Sequence, residues 1–410
     1  MTPRTTDAIT LQGLMAQALA THPSVRAARV DQQAAQQDVE TARLQRWPVL
    51  SATLESRDSN VATTSARALS LEQILWDGGR VAARVAETSS ISEMGVARIQ
   101  ALRQELALQV IGAWQTWVSA QGRAAIADAT IKQLGDYRER MRRRVEAQAS
   151  PLIELDLVEA RLLQTQVELN QARANARIAV AKLEQLTGWS DLEQRLASDG
   201  AMAAPENVRQ QAVEVIAVDV DAAADRAPAV AMARAEAQAA RSRLDQKQAE
   251  KYPQLYLRLN QPIAGGTVGN QSLAVFVGLR YSPGAGFSQL SETKSVALRA
   301  QSAEESIDLT RREAANALRA DTAELAAALD RLPAAESSVA GGDRVLESYL
   351  RQFAASRKTW QDVLNAAREL AQNKYSQVDI QASMLGALYR LWVRLGRFPG
   401  LEPVMQGGAS

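Results

Sequence analysis

The sequence predicts a mostly α-helical fold with a small β part, in which duplicated long helical hairpins are each joined to a pair of strands. Three observations carry this. The 410-residue chain is alanine-rich and 23% charged but only 4% aromatic, a composition suited to long, closely packed helices. Its hydrophobic period switches between two and about 3.5 in the same order twice. The chain is also internally repeated.

The repeat is read from matched positions. Pro23 in THPSV matches Pro228 in RAPAV, Pro48 in WPVL matches Pro253 in YPQL, and Trp76-Asp77-Gly78-Gly79 matches Tyr281-Ser282-Pro283-Gly284, all at an offset of 205 residues. Leu157, Ala160 and Arg161 match Leu364, Ala367 and Arg368 at an offset of 207. The expected organisation is a first repeat over 8–187, a connector over 188–227, a second repeat over 228–395 and a tail over 396–410.

Each repeat opens with a helix, the first ended by Pro48 because proline disfavours helix in the residue before it. A β-hairpin follows, at about 49–76 and about 254–281. In the first, Leu50, Ala52 and Leu54 oppose Ser51, Thr53 and Glu55, while Leu69, Leu71 and Leu75 share one side. In the second, Leu255, Leu257 and Leu259 oppose Tyr256, Arg258 and Asn260, and Leu273, Val275, Val277, Leu279 and Tyr281 share a face. Such strands have the ~9–11 residues that cross a bilayer when tilted. Gly78, Gly79, Pro283 and Gly284 mark the strand-to-helix turns. Long helical hairpins then run over about 80–187 and about 287–395. Ser150 and Pro151 mark the turn of the first, since proline suits a first helical turn. Leu155, Val158, Leu162, Thr165, Leu169, Ala172, Ala176, Ala179, Leu183 and Leu186 then keep a 3,4 spacing, the seam of a coiled coil, up to Gly188.

Composition also excludes. Lys and Arg number 47 against 46 Asp and Glu, so nothing global points to nucleic acid. Cysteine is absent and His22 is the only histidine, which removes thiol catalysis, Cys-ligated metals and multi-histidine sites. No P-loop, GxSxG or HExxH occurs, and the sequence reads as a non-enzyme without metal or cofactor. No apolar run reaches the ~20 residues of a membrane helix. The polar N-terminus carries no secretory leader, so either the protein is cytosolic or a signal peptide has been removed.

Four strands cannot close a barrel, and open edges are not tolerated in lipid. Three copies would supply 3 × 4 = 12 strands, an even number within the range of outer-membrane barrels. The closure argument therefore leads to a homotrimer.

Here the motifs become specific. THPSV, the turn LWDGGR from Leu75 to Arg80, and the two segments beginning at Arg143 (RRVEAQASPLIELDLVEAR) and Leu350 (LRQFAASRKTWQDVLNAAREL) resemble the TolC family of outer-membrane export channels over about residues 8–395. The resemblance implies a trimeric α-barrel in the periplasm and a 12-stranded transmembrane β-barrel, with a periplasmic adaptor and an inner-membrane transporter as partners. Gln148 and Ser356 stand where the family often has glycine, and Pro283-Gly284 replaces a Gly-Gly pair.

Site expectations follow. By resemblance Glu347 falls near an acidic constriction, so Glu347, Arg140, Arg143 and Asp156 are candidates for a periplasmic gate, with Glu347 or Asp156 paired to an arginine. Arg138, Arg140, Arg142, Arg143 and Arg144 form a basic run beside the first tip. Ala149, Ser150, Pro151, Ser356, Arg357, Lys358 and Trp360 are candidate tip contacts for the adaptor. Trp76 and Tyr281 are candidate membrane-boundary aromatics, while Trp114 and Trp117 are expected to pack between helices. Phe353, Arg357, Thr359 and Trp360 look most like channels of type I secretion for large RTX-type adhesins. The preferred expectation is an outer-membrane duct passively conducting a secreted protein, with an ABC transporter as partner. The alternative is drug or small-molecule efflux with a proton-driven pump, and a soluble coiled-coil scaffold is a second alternative.

Overall fold

The structure, a computed structural model, describes residues 10–59, 62–198, 208–264, 272–282 and 284–398. The elements are α1 (Leu11–Thr21), α2 (Pro23–Leu44), β1 (Val49–Ser59), β2 (Ala62–Trp76), α3 (Arg80–Glu146), α4 (Leu152–Thr187), α5 (Leu192–Ser198), α6 (Val208–Ile216), α7 (Val220–Asp225), α8 (Pro228–Ala249), β3 (Gln254–Ala264), β4 (Ala274–Arg280), a short 3₁₀ turn (Ala285–Phe287), α9 (Ser288–Ala354) and α10 (Trp360–Arg394). Mostly helical with four antiparallel strands, this is the expected fold class. Pro283, the start of the first repeat at 8–9, part of the connector and nearly all of the 396–410 tail lie outside the described residues.

Packing divides the chain into two units, and each draws on both repeats. One comprises residues up to Val25, Leu102–Ala224 and Ala315 onward, and the other Arg26–Ala101 and Asp225–Ala314.

The first unit is helical. The 3,4 stripe of α4 is its seam: Val158, Thr165, Leu169, Ala172, Ala176, Ala179, Leu183 and Leu186 are all buried, and Gly188 ends the helix in the left-handed conformation at φ 73°. Small residues at the middle of the stripe let neighbouring helices approach closely. Helix α1, whose Leu14, Met15 and Ala18 are buried, packs on α4, and Thr21 donates to the carbonyl of Thr187 at 3.0 Å. Trp114 and Trp117 are buried between helices. An ionic network fastens α9 to α10. Arg390 and Arg394 both donate to the buried Asp321 at 2.7 Å, and Arg390 also reaches Glu324 at 2.6 Å and Gln115 of α3 at 2.8 Å. Charges taken out of water need such multiple partners.

The second unit holds the sheet. Its order is β1-β2-β3-β4, antiparallel throughout. The WDGG turn enters α3 through Asp77, whose carboxylate accepts from the N–H groups of Gly79 at 2.9 Å and Val81 at 2.8 Å. Gly78 and Gly79 have φ of 67° and 92°, which side chains adopt at a cost. A Cβ on Gly78 would also lie 3.0 Å from Cβ of Tyr252. Arg80 then donates to the carbonyls of Glu250 at 3.1 Å and Tyr252 at 2.8 Å, tying the start of α3 to the end of α8 and the entry to β3. Within the same unit the buried Glu87 accepts from Arg84 at 2.9 Å and Arg243 at 2.7 Å.

Leu183 is fully buried in the α4 seam. Leu183→Ala is expected to lower stability by about 2–5 kcal/mol through lost transfer energy and the cavity left behind, read as a lower denaturant midpoint at unchanged helicity.

Candidate functional site

Two places in the structure gather unusual side chains. The first is the sheet. Cross-strand partners share a face, so the register Leu50–Leu71–Leu259–Val275 and the pair Leu257–Val277 place a mostly apolar set on one side, with Gln73 opposite Leu257. Leu50, Leu54, Val275, Val277 and Leu279 are exposed in the single chain. The opposite side carries Ser51, Ser70, Glu72, Arg258, Asn260 and Arg280, together with Ile74, Tyr256 and Phe276. Ser51 and Ser70 share a hydrogen bond of 2.7 Å, and Glu72 accepts from Arg258 at 2.9 Å and from Arg280 at 3.1 Å. A sheet mostly apolar on one face and rich in charged and hydroxyl groups on the other, with no helix packed over its apolar side among the described residues, fits a wall between lipid and water.

One end of this sheet carries a row of aromatics. Trp47 and Tyr252 precede β1 and β3, and Trp76 and Tyr281 end or follow β2 and β4. All four are at least half exposed, and Trp76 stands edge-on to Tyr252 at 6.1 Å. Beside the candidates Trp76 and Tyr281 stand Trp47 and Tyr252, which precede Pro48 and Pro253 at the same offset of 205 residues.

The second place is the pair of turns joining α3 to α4 and α9 to α10, both in the helical unit. They have the same construction. At the first, Gln148 adopts φ 57°, its N–H donates to Val145, and the N–H of Ala149 reaches back to Arg144 at 2.8 Å. At the second, Ser356 adopts φ 56°, its N–H donates to Phe353, and the N–H of Arg357 reaches Gln352 at 2.8 Å. This left-handed helix stop is usually glycine. A residue with a Cβ there costs about 1–2 kcal/mol, so both turns carry side chains where glycine would be easier.

A ladder of rings joins the turns. Arg144 lies over Phe353 at 5.0 Å, Phe353 packs on Trp360 at 5.0 Å, and Trp360 stands edge-on to Tyr137 at 5.4 Å. Leu134, Met141, Val158, Val363 and Leu364 complete this core. Trp360 is only 3% exposed, and its indole N–H has no acceptor among the described residues. Trp360, a candidate tip contact, is therefore buried in the single chain. Two helical turns and an aromatic neighbour on each side draw it inward, and it builds the turn rather than decorating it.

The other candidates fall into three groups. Pro151 caps α4 without a side-chain bond, and Ser150 accepts from Arg144 at 3.1 Å. Lys358 sits over Tyr349 at 4.5 Å. Ala149, Pro151, Ser356 and Arg357 are exposed. The gate candidates do not meet within the chain. Glu347 pairs with Arg351 on its own helix at 2.6 Å, Arg143 approaches Glu139 at 3.5 Å, and Arg140 and Asp156 are exposed without an ion pair among the described residues. Within the basic run, Arg142 also bonds Glu139, at 2.8 Å. His22 makes a local contact of 2.7 Å with Ser24.

The start of α10 is held by a reciprocal cap. Thr359 Oγ1 accepts from the N–H of Asp362 at 3.2 Å, and the Asp362 carboxylate accepts from the N–H of Thr359 at 3.1 Å and from its hydroxyl at 2.9 Å. Those bonds, the backbone one first, hold the Asp362 carboxyl below the usual carboxylate range. A depressed carboxyl contributes stability above its unfolded value and loses it as pH falls through the folded one. The expected stability difference between the protein and Asp362→Ala, measured by denaturant titration, is therefore full at neutral pH and shrinks on acidification below about pH 4.

Residues 14–189 match the family described as outer membrane efflux protein. A comparison with curated proteins gives no match. Among solved structures, a membrane protein from Pseudomonas aeruginosa is 18% identical, with 95% of this chain and 92% of that chain covered and a TM-score of 0.82. The outer membrane protein VceC from Vibrio cholerae is 19% identical, with 94% and 96% covered and a TM-score of 0.81. The Campylobacter jejuni CmeC outer membrane channel is 13% identical, with 97% and 87% covered and a TM-score of 0.79. The fold is thus shared across almost the full length of these proteins.

Proposed function

We propose that this protein is the outer-membrane channel of a tripartite efflux system, acting by conduction rather than catalysis, a reading supported by the match of residues 14–189 to the outer membrane efflux protein family. Three copies join β4 of one to β1 of the next and form a 12-stranded barrel in the outer membrane (3 × 4 strands). The helices form a periplasmic duct, and energy comes from an inner-membrane transporter coupled through a periplasmic adaptor.

The observation that carries this reading is the two-faced sheet with two open edges. Among the described residues β1 and β4 each pair on one side only. In hydrocarbon each unpaired backbone group costs several kcal/mol, so the apolar face can enter lipid only when the edges are joined. The aromatic row at one end fits the belt such barrels place at the membrane boundary.

Small-molecule efflux is favoured over secretion of a large protein. Efflux, without a named substrate, is the activity in the description of the family that residues 14–189 match. The secretion reading rested on Phe353, Arg357, Thr359 and Trp360. Phe353 and Trp360 build the turn's core and Thr359 caps α10, which leaves Arg357 alone of the four free to meet a partner. The exposed tip residues Ala149, Pro151, Ser356 and Arg357 are the adaptor contacts in this proposal. Glu347, Arg140, Arg143 and Asp156 act between subunits at the entrance, where threefold repetition multiplies exposed pairs worth only ~0–1 kcal/mol each.

The purified protein is expected to require detergent, to run as a trimer by native mass spectrometry and to give discrete conductance steps in planar bilayers. A monodisperse monomer in detergent-free buffer would sink the proposal. Co-purification with a proton-driven pump would support efflux, and co-purification with an ABC transporter the secretion reading. Glu347→Ala is expected to raise the open fraction of the channel in the same bilayers, and unchanged gating removes Glu347 from the entrance latch.

A further inference from the structure

The polar face of the sheet carries a charged cluster that a passive wall does not need. Arg258 of β3 and Arg280 of β4 converge on one carboxylate, Glu72 of β2. Both guanidiniums also lie over the ring of Tyr256, at 5.3 Å and 4.7 Å. That ring lies flat across Gly278, where any Cβ would overlap it. The glycine thus makes room for a platform, and the platform holds two cations side by side.

The balance of this cluster is positive. Two guanidiniums share one carboxylate, a net charge of +1 per chain. Each guanidinium has five N–H donors in a planar fork. Arg258 gives Nε and Nη2 to Glu72 while Arg280 gives only Nη2. Donors therefore remain on both, and the two side chains are 41% and 49% exposed. A simple strand-to-strand fastening would need one arginine per carboxylate. The second arginine leaves recognition capacity for an anion, and planar guanidinium suits carboxylate and phosphate groups.

We infer that Arg258, Arg280 and Tyr256 form an anion-recognition belt on the water-facing side of the barrel, favouring passage of small solutes that carry a carboxylate or phosphate. The inference rests on the channel reading above, which turns the polar face inward. Three copies place six guanidiniums against three carboxylates around one lumen (3 × 2 against 3 × 1), a net charge of +3.

The test is ion selectivity of the full-length protein in neutral-lipid planar bilayers, with chloride and potassium as probes. On the order of 0.01 M salt, the screening length is ~30 Å and a ring of charge acts across a wide pore. The chloride-to-potassium permeability ratio is expected to fall at least about twofold in Arg258→Gln and Arg280→Gln, to rise in Glu72→Gln, and to stay unchanged in Arg280→Lys. Near ~1 M salt, where the screening length is ~3 Å, these differences should vanish. A purely structural cluster would give stability losses without this opposed, salt-dependent pattern. The neutralising variants share every other part of the pore, so the entrance cannot produce the shifts. Normal conductance with one permeability ratio for all variants overturns the inference and leaves the channel reading intact. Absence of conductance in the unsubstituted protein overturns both.

Discussion

Everything in this protein depends on where the backbone hydrogen bonds at the sheet edges go. The four strands satisfy one another internally, in the order β1-β2-β3-β4. The outer sides of β1 and β4 have no partner among the described residues, yet Leu54, Val277 and Leu279 are exposed beside them. Water can pair those backbone groups but disfavours the leucines, and lipid accepts the leucines but not the backbone. In the proposed channel, closure with further copies satisfies both demands. Within the unit that holds the sheet, the hydrogen bonds of Asp77 and Arg80 at the strand-to-helix junction fix the ends of the strands.

The junction shows how little chain is needed for that. Asp77 supplies the helix cap, Gly78 and Gly79 supply positive φ, and Arg80 binds the carbonyls at the end of the neighbouring α8. Four consecutive residues thus terminate a strand, start a helix of 67 residues and fasten it to the second repeat. The equivalent turn of the second repeat needs an extra 3₁₀ turn and a further left-handed glycine, Gly286, before α9 begins. The two repeats share an outline but solve its corners differently.

Periodic features were legible in the sequence because they are local. The 3,4 stripe of α4 and the alternation of β3 need only neighbours a few residues away, and both emerge at the expected residues. Long-range pairings were not legible. Nothing near Arg80 in sequence announces the end of α8, and nothing near Asp321 announces Arg390 and Arg394. Trp360 illustrates the same limit. Its position beside a turn suggested exposure, while its burial depends on Tyr137 and Phe353 arriving from two other helices. Glu347 likewise found its nearest charge, Arg351, one turn away rather than across the bundle.

Because the duplicated halves meet at β2 and β3, the free strands are β1 from one half and β4 from the other. The two edges are therefore unlike, and in the proposed ring each copy joins its neighbour head to tail, β4 to β1. Such heterologous joining closes as a ring or continues as an open chain. In a ring of three, nine of the twelve strand seams (3 × 3) are already sealed inside single polypeptides. Assembly then has only three joints left to make, and a half-built ring always retains two raw ends that can recruit the missing member.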